Sequence, residues 1–119
     1  MKNKELGDLG EKLAVEYIED KGYKIVEKNF RCKFGEIDII AKNDNFYIFI
    51  EVKTRKSLNF GRPIESITKN KINHITKTIF YYLNKNNIKN YNIRIDAVEI
   101  IIKDFKNYII NHIPNIYLY

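Results

Sequence analysis

The sequence predicts one α/β domain over residues 1–119, a mixed β-sheet carrying helices in the order α-β-β-β-α-β-β. Three observations predict it. Apolar residues recur at helical spacing in two separated segments, short apolar or alternating runs bounded by turn residues fill the rest, and 119 residues suit a single domain without an internal linker or repeat.

The first helix is marked by Leu6, Leu9, Leu13, Ala14, Tyr17 and Ile18, which form one apolar stripe, and by Gly22 in the position of a left-handed C-terminal cap. Gly7 and Gly10 lie inside it, at a cost of about 1 kcal/mol each relative to Ala, so they are expected where something approaches the helix closely. Tyr23 to Phe30 alternates as a half-buried strand. Ile37–Ala41 and Phe46–Val52 flank Asn43-Asp44-Asn45 and predict a hairpin, whose second strand is apolar on both faces and so belongs in the middle of the sheet. After Gly61 and Pro63, the residues Ile64, Ile67, Ile72, Ile75, Ile79, Tyr82 and Leu83 line one side of a second helix. Asn84 to Asn90 is a polar loop, and 92–102 and 108–113 predict the last two strands.

Composition excludes several function classes. No uninterrupted apolar run exceeds five residues, as in Phe46 to Ile50, against the roughly 20 that a membrane-spanning helix needs. The charged N-terminus leads into no apolar segment of the kind a secretory signal requires, and the lone Cys32 suits a reducing compartment, so a cytoplasmic protein without a membrane partner is expected. No glycine-rich phosphate loop appears, and His74, His112 and Cys32 show no metal-ligand spacing. The net charge of +6 favours a polyanionic partner, although only four of the 21 basic residues are arginine and the abundance of Lys, Asn and Ile reads as a codon bias.

The chemistry is carried by acids placed in apolar strands. Asp38 interrupts Ile37 and Ile39, and Glu51 follows Ile50 with Lys53 two residues on. An ionised carboxylate in such a place needs a cation or a hydrogen-bonded partner. A two-residue turn at Asp44-Asn45 makes paired numbers in the hairpin sum to 89, setting Asp38 opposite Glu51 and Glu36 opposite Lys53. Slipping the register by one residue would destroy the cluster. Two converging carboxylates beside a lysine suit a hard divalent ion such as Mg²⁺ or Mn²⁺, with the Val52 carbonyl as a further oxygen. Glu11 lies at the margin of the first helix's apolar stripe, one turn after Gly7, where its carboxylate can reach the same place. Lys53, Arg55, Lys56, Arg62, Lys69 and Lys71 form a candidate rim for phosphate contacts. Asp96 is expected to pair with Arg94 or a lysine and to serve the structure.

Asp38 followed by Glu51-Val52-Lys53 resembles the signature of the PD-(D/E)xK nuclease superfamily. The strings Gly10-Glu11, Gly35-Glu36-Ile37-Asp38-Ile39-Ile40-Ala41, Phe49-Ile50-Glu51-Val52-Lys53-Thr54-Arg55 and Phe60-Gly61-Arg62-Pro63-Ile64-Glu65 narrow the resemblance. With Lys71, Arg94-Ile95-Asp96 and His112-Ile113-Pro114-Asn115 they make the chain similar to the YraN-like family, small bacterial proteins predicted to be endonucleases and related to archaeal Holliday-junction resolvases. Ile37 departs from the superfamily pattern, which often has proline before the aspartate. The resemblance implies a restriction-endonuclease-like fold and metal-dependent cleavage of DNA, with branched recombination or repair intermediates as candidate substrates and a homodimer as the form suited to them. It implies that Asp38, Glu51 and Glu11 serve the metal and that Lys53 is catalytic. The alternative is a DNA-binding protein with this fold that does not cut.

Overall fold

The computed structural model describes residues 2–56 and 67–116. Its elements are α1 (Asn3–Asp20), β1 (Lys24–Cys32), β2 (Gly35–Asn43), β3 (Phe46–Arg55), α2 (Lys69–Lys85), β4 (Asn92–Ile102) and β5 (Tyr108–Ile113). Helix α1 stops as its glycine predicts. Gly22 takes φ 91°, its N–H donates to the Glu19 carbonyl, and the Tyr23 N–H donates to that of Ile18. Helix α2 starts later than the apolar spacing suggests, because Thr68 caps it and accepts from the Lys71 N–H at 3.3 Å. Ile64 lies outside the described residues, and Ile67 packs on the core just ahead of the cap.

The five strands form one mixed sheet in the order β1-β2-β3-β4-β5. Neighbours pair antiparallel except β3 and β4, which are parallel and joined through α2. Strand β3 is apolar on both faces because both are covered. Helix α1 packs with Ile39, Ala41, Ile48, Ile50, Val98 and Ile100 on one side, and α2 packs with Phe30, Ile37, Ile40, Phe49, Ile95 and Ala97 on the other.

Pairing between β2 and β3 runs from Asn43↔Phe46 to Ile39↔Ile50, the register that the two-residue turn predicts. It then stops, one rung short of Asp38 and Glu51. Strand β2 also loses its alternation here, since Ile37 belongs to the α2-side core and Ile39 to the α1-side core. Across on β1, pairing passes from Lys28↔Ile39 to Phe30↔Ile37, and the intervening Asn29 has φ 53°, a conformation that asparagine tolerates better than most residues. The expected pairing of Glu36 with Lys53 does not form; Glu36 pairs with Arg31 on β1, their side chains 2.8 Å apart in an exposed ion pair. The sheet opens at Asp38, and its carboxylate fills the opening.

Of the two glycines in α1, Gly10 marks a close approach. A Cβ there would lie 2.0 Å from Thr54 Oγ1 and 2.9 Å from Thr54 Cβ, whereas one at Gly7 would meet nothing within 4 Å. Thr54 is branched at Cβ and cannot swing clear, so α1 would have to lift off the end of β3. Gly10→Ala is expected to lower the unfolding free energy by about 1 kcal/mol, the overpacking cost exceeding the gain in helix propensity. Urea denaturation measures it, and an unchanged or higher midpoint would contradict the close contact.

Candidate active site

Strand β3 leaves the covered part of the sheet at Glu51, and the site is built around that exit. The Asp38 Oδ2 accepts the Val52 N–H at 2.8 Å, so a side chain takes the place of the missing rung. Val52 thus holds Asp38 through its peptide N–H, in addition to the carbonyl that the sequence offers a metal. The Glu51 and Asp38 carboxyl groups face one another closely enough that each alters the other's affinity for a proton, and of the two Glu51 favours the protonated form. Burial, then the charge of Asp38, push its pKa up to about 8, against a smaller opposing effect of Lys53. Asp38 is raised by burial too, but the Val52 N–H and the Glu51 proton favour its ionised form. Lys53 Nζ stands 3.7 Å from Glu51 Oε1, and both side chains are mostly buried.

Glu11 approaches from α1. Its pKa is raised by burial and then by the charge of Asp38, and is held back by a hydrogen bond with the Asn29 side chain. Lys71, on the first turn of α2, has its pKa lowered chiefly by the charge of Lys53, so the two ammonium groups crowd one another. A cleft of about 520 Å³ runs between Leu6, Gly7 and Glu11 on α1 and Lys53, Thr54 and Arg55 on β3. A second recess of about 220 Å³ holds Glu36, Glu51, Lys53, Lys71 and His74. Lys53 lines both.

The structure therefore brings together Glu11, Asp38, Glu51 and Lys53, with Lys71 facing Lys53. Arg55 and Lys56 line the larger cleft. Lys69 is exposed at the start of α2, and Arg62 lies outside the described residues. Among the described residues no three His, Cys, Asp or Glu side chains are already arranged to hold a metal ion. The donor set is a pair of desolvated carboxylate groups, which fits Mg²⁺ or Mn²⁺: such ions commonly bind through one or two carboxylates and complete their shell with water and substrate phosphate. A cation there would replace the proton that Glu51 holds.

Three further neighbours lie beyond the residues that the motifs single out. Asn29 carries no pattern signal, because its importance comes from a backbone conformation. His74 is one helical turn from Lys71, a spacing that becomes meaningful only once α2 is docked over Glu51. Glu99 is fully buried, is the pairing partner of Lys53 across the parallel strands, and accepts from Asn111 Nδ2 at 3.0 Å. Its signal was legible, an acid inside the apolar run 97–102.

Asp96 behaves as expected and stays apart from this site. Arg94 donates to both its oxygens, Nε to Oδ1 at 2.9 Å and Nη2 to Oδ2 at 2.8 Å, and the Asn115 N–H adds a third bond at 3.2 Å. His112 Nε2 is 2.6 Å from Oδ2, and Lys21 Nζ is 3.0 Å from His112 Nδ1. A lysine ammonium only donates, so Nδ1 accepts and Nε2 carries the hydrogen given to Asp96.

Among the described residues no helix is long and apolar enough to cross a membrane. The family model described as the uncharacterised protein family UPF0102 matches residues 10–100. A UPF0102 protein of Clostridioides difficile is 50% identical over 115 residues, covering 97% of this chain and 98% of its own. One from Clostridium botulinum is 51% identical over 95% of this chain and 94% of its own, and one from Caldicellulosiruptor saccharolyticus is 48% identical over 84% and 85%. The chain belongs to UPF0102, the YraN-like family that its motifs resemble.

Proposed function

We propose that the chain is a divalent-metal-dependent DNA endonuclease with a restriction-endonuclease-like core. The observation that carries this reading is the convergence of Asp38, Glu51 and Lys53 where the β2–β3 pairing ends, with Asp38 Oδ2 held by the Val52 N–H at 2.8 Å and Lys53 Nζ 3.7 Å from Glu51. Strained ionisation beside a cleft is the usual mark of a site built for chemistry. Asp38 and Glu51 hold Mg²⁺ or Mn²⁺, with Glu11 adding negative charge from α1. Bound there, the ion supplies neutralisation of the phosphodiester charge and a lowered pKa for water. Lys53 lies between the two recesses and orients the attacking water or donates to the phosphate oxygens. Lys71 keeps the local field positive, and Arg55 and Lys56 track the DNA backbone along the cleft. The single cysteine fits a cytoplasmic setting, and a branched substrate would call for a homodimer with paired sites.

The test is a panel of linear, flapped and four-way DNA substrates with Mg²⁺ or Mn²⁺. The wild type should cut at least one of them and stop in EDTA, and Lys53→Ala should cut it about 10²–10⁴-fold more slowly while keeping the fold. Equal rates for the two proteins would remove Lys53 from the reaction. Binding that persists in EDTA with no nicking under any condition would make the chain a DNA-binding protein instead.

A further inference from the structure

Strand β4 carries its polypeptide past the candidate cleft into a turn whose composition nothing in the cleavage reading uses. The parallel pairing Arg55↔Ile101 sets the end of β4 beside the end of β3, so residues 103–107 stand off the same end of the sheet as Arg55 and Lys56. Every residue from Lys103 to Ile109 is exposed. Phe105 is 69% exposed, more than any other large apolar side chain among the described residues.

The turn is closed by its own hydrogen bonds, and its one acid is already used. The Lys103 N–H donates to the Asn107 carbonyl at 2.9 Å. Asp104 Oδ1 accepts the N–H groups of Lys106 and Asn107 at 2.8 and 2.9 Å, and Oδ2 accepts from Asn107 Nδ2 at 2.8 Å. What remains on offer is Phe105 between Lys103 and Lys106. Beside it Tyr108 and Ile109 edge a depression of about 270 Å³. An aromatic ring flanked by lysines is the pairing that single-stranded nucleic acid uses, bases stacking on the ring while cations meet the phosphates. In a continuous duplex each base face is covered by its neighbours, so only an unpaired nucleotide can use such a ring. A second copy of this chain is disfavoured at the same place, because it would bring its own +6 charge against Lys103, Lys106 and Arg55.

The geometry points to the β4–β5 turn as a stacking post for an unpaired nucleotide of the DNA strand that crosses the Asp38–Glu51 site. The inference rests on the DNA-binding part of the proposed function and narrows the substrate class to DNA with an unpaired segment, such as a flap or a branch. Glu51 pairs with Ala97, and the five residues from there to Ile102 span about 17 Å, about five nucleotide steps of a B-form strand.

The experiment is equilibrium binding in EDTA, where no cleavage occurs, of a duplex and of the same duplex with a single-stranded extension carrying the fluorescent base analogue 2-aminopurine. The wild type is expected to bind the extended DNA at least tenfold tighter and to quench the analogue by stacking. Phe105→Ala should lose about tenfold on the extended DNA, little on the duplex, and the quenching with it. Phe105→Trp should restore both the affinity for the extended DNA and the quenching. Equal losses on both substrates, no loss on either, or a change of oligomeric state at unaltered DNA affinity would overturn the inference. A chain that discriminates through Phe105 but never cuts DNA refutes the nuclease reading alone, and one that cuts but is indifferent to Phe105 refutes this inference alone.

Discussion

Glu51→Gln is expected to abolish metal-dependent cleavage and at the same time to make the protein more stable at alkaline pH. On the proposed function, the first effect follows from the loss of one of the two carboxylates that would hold the cation, and the rate should fall by at least about 10²-fold, the scale on which removing one electrostatic group from an active site registers. The second follows from linkage. Glu51 in the folded chain has its pKa raised from 4.5 to about 8, so between those values the folded state holds a proton that the unfolded state has released. Stability must then fall as pH rises through that window. Each pH unit of displacement corresponds to about 1.4 kcal/mol, and part of the strain stays with Asp38 when Glu51 alone is neutralised, so the gain of the variant at pH 9 should be about 2 kcal/mol. That is a rise of roughly 5–10 °C in Tm for a domain of this size. Gln keeps a hydrogen for Asp38 and cannot ionise. Thermal unfolding of both proteins from pH 5 to 9 reads it, and adding Mg²⁺ should remove the alkaline loss in the wild type while leaving the variant unmoved. Identical pH profiles would show that the Glu51 carboxyl is not displaced.

The largest loss of stability is expected from Arg94→Ala. Asp96 is fully buried and keeps its charge: burial pushes its pKa up, but the bonds from His112, Arg94 and the Asn115 N–H bring it below the ordinary carboxylate value. The stability this charge contributes is present above the unfolded pKa and is lost as pH falls through the folded one. Removing the guanidinium takes away two of those bonds and the Nη2 bond to the Tyr23 hydroxyl, 2.8 Å long. Breaking a buried pair from one side costs about 3–5 kcal/mol, and the lower end applies because His112 and Asn115 remain. A Tm fall of roughly 10–15 °C is expected near pH 7. Arg94→Lys should recover only part of it, since an ammonium cannot reproduce the two-pronged contact. A fall under about 3 °C for Arg94→Ala would mean that Asp96 is satisfied without its arginine.

These two residues also divide what the chain announces from what folding adds. Glu51 and Asp38 were legible because an acid inside an apolar strand contradicts its surroundings, and the short turn at Asp44-Asn45 gave the register linking them. Arg94 and Asp96 were legible for the same reason, being two apart on one strand face. His112 was not, because its partnership with Asp96 joins strands whose pairing no local pattern specifies. Apolar spacing alone starts helix α2 too early, since Ile64 and Ile67 continue the apolar period in the sequence while Thr68 supplies the cap.

The sequence by itself determined the number and type of elements, the hairpin register and the identity of the acids and the lysine, because each depends on residues near one another in the chain. Only the tertiary structure decided that the β2–β3 pairing ends at Ile39↔Ile50, that Asp38 then turns to the Val52 N–H, and that Asn29, His74 and Glu99 join the site. Those outcomes depend on how three strands and two helices compete for the same space and the same hydrogen-bond donors, a competition that exists only after distant segments meet.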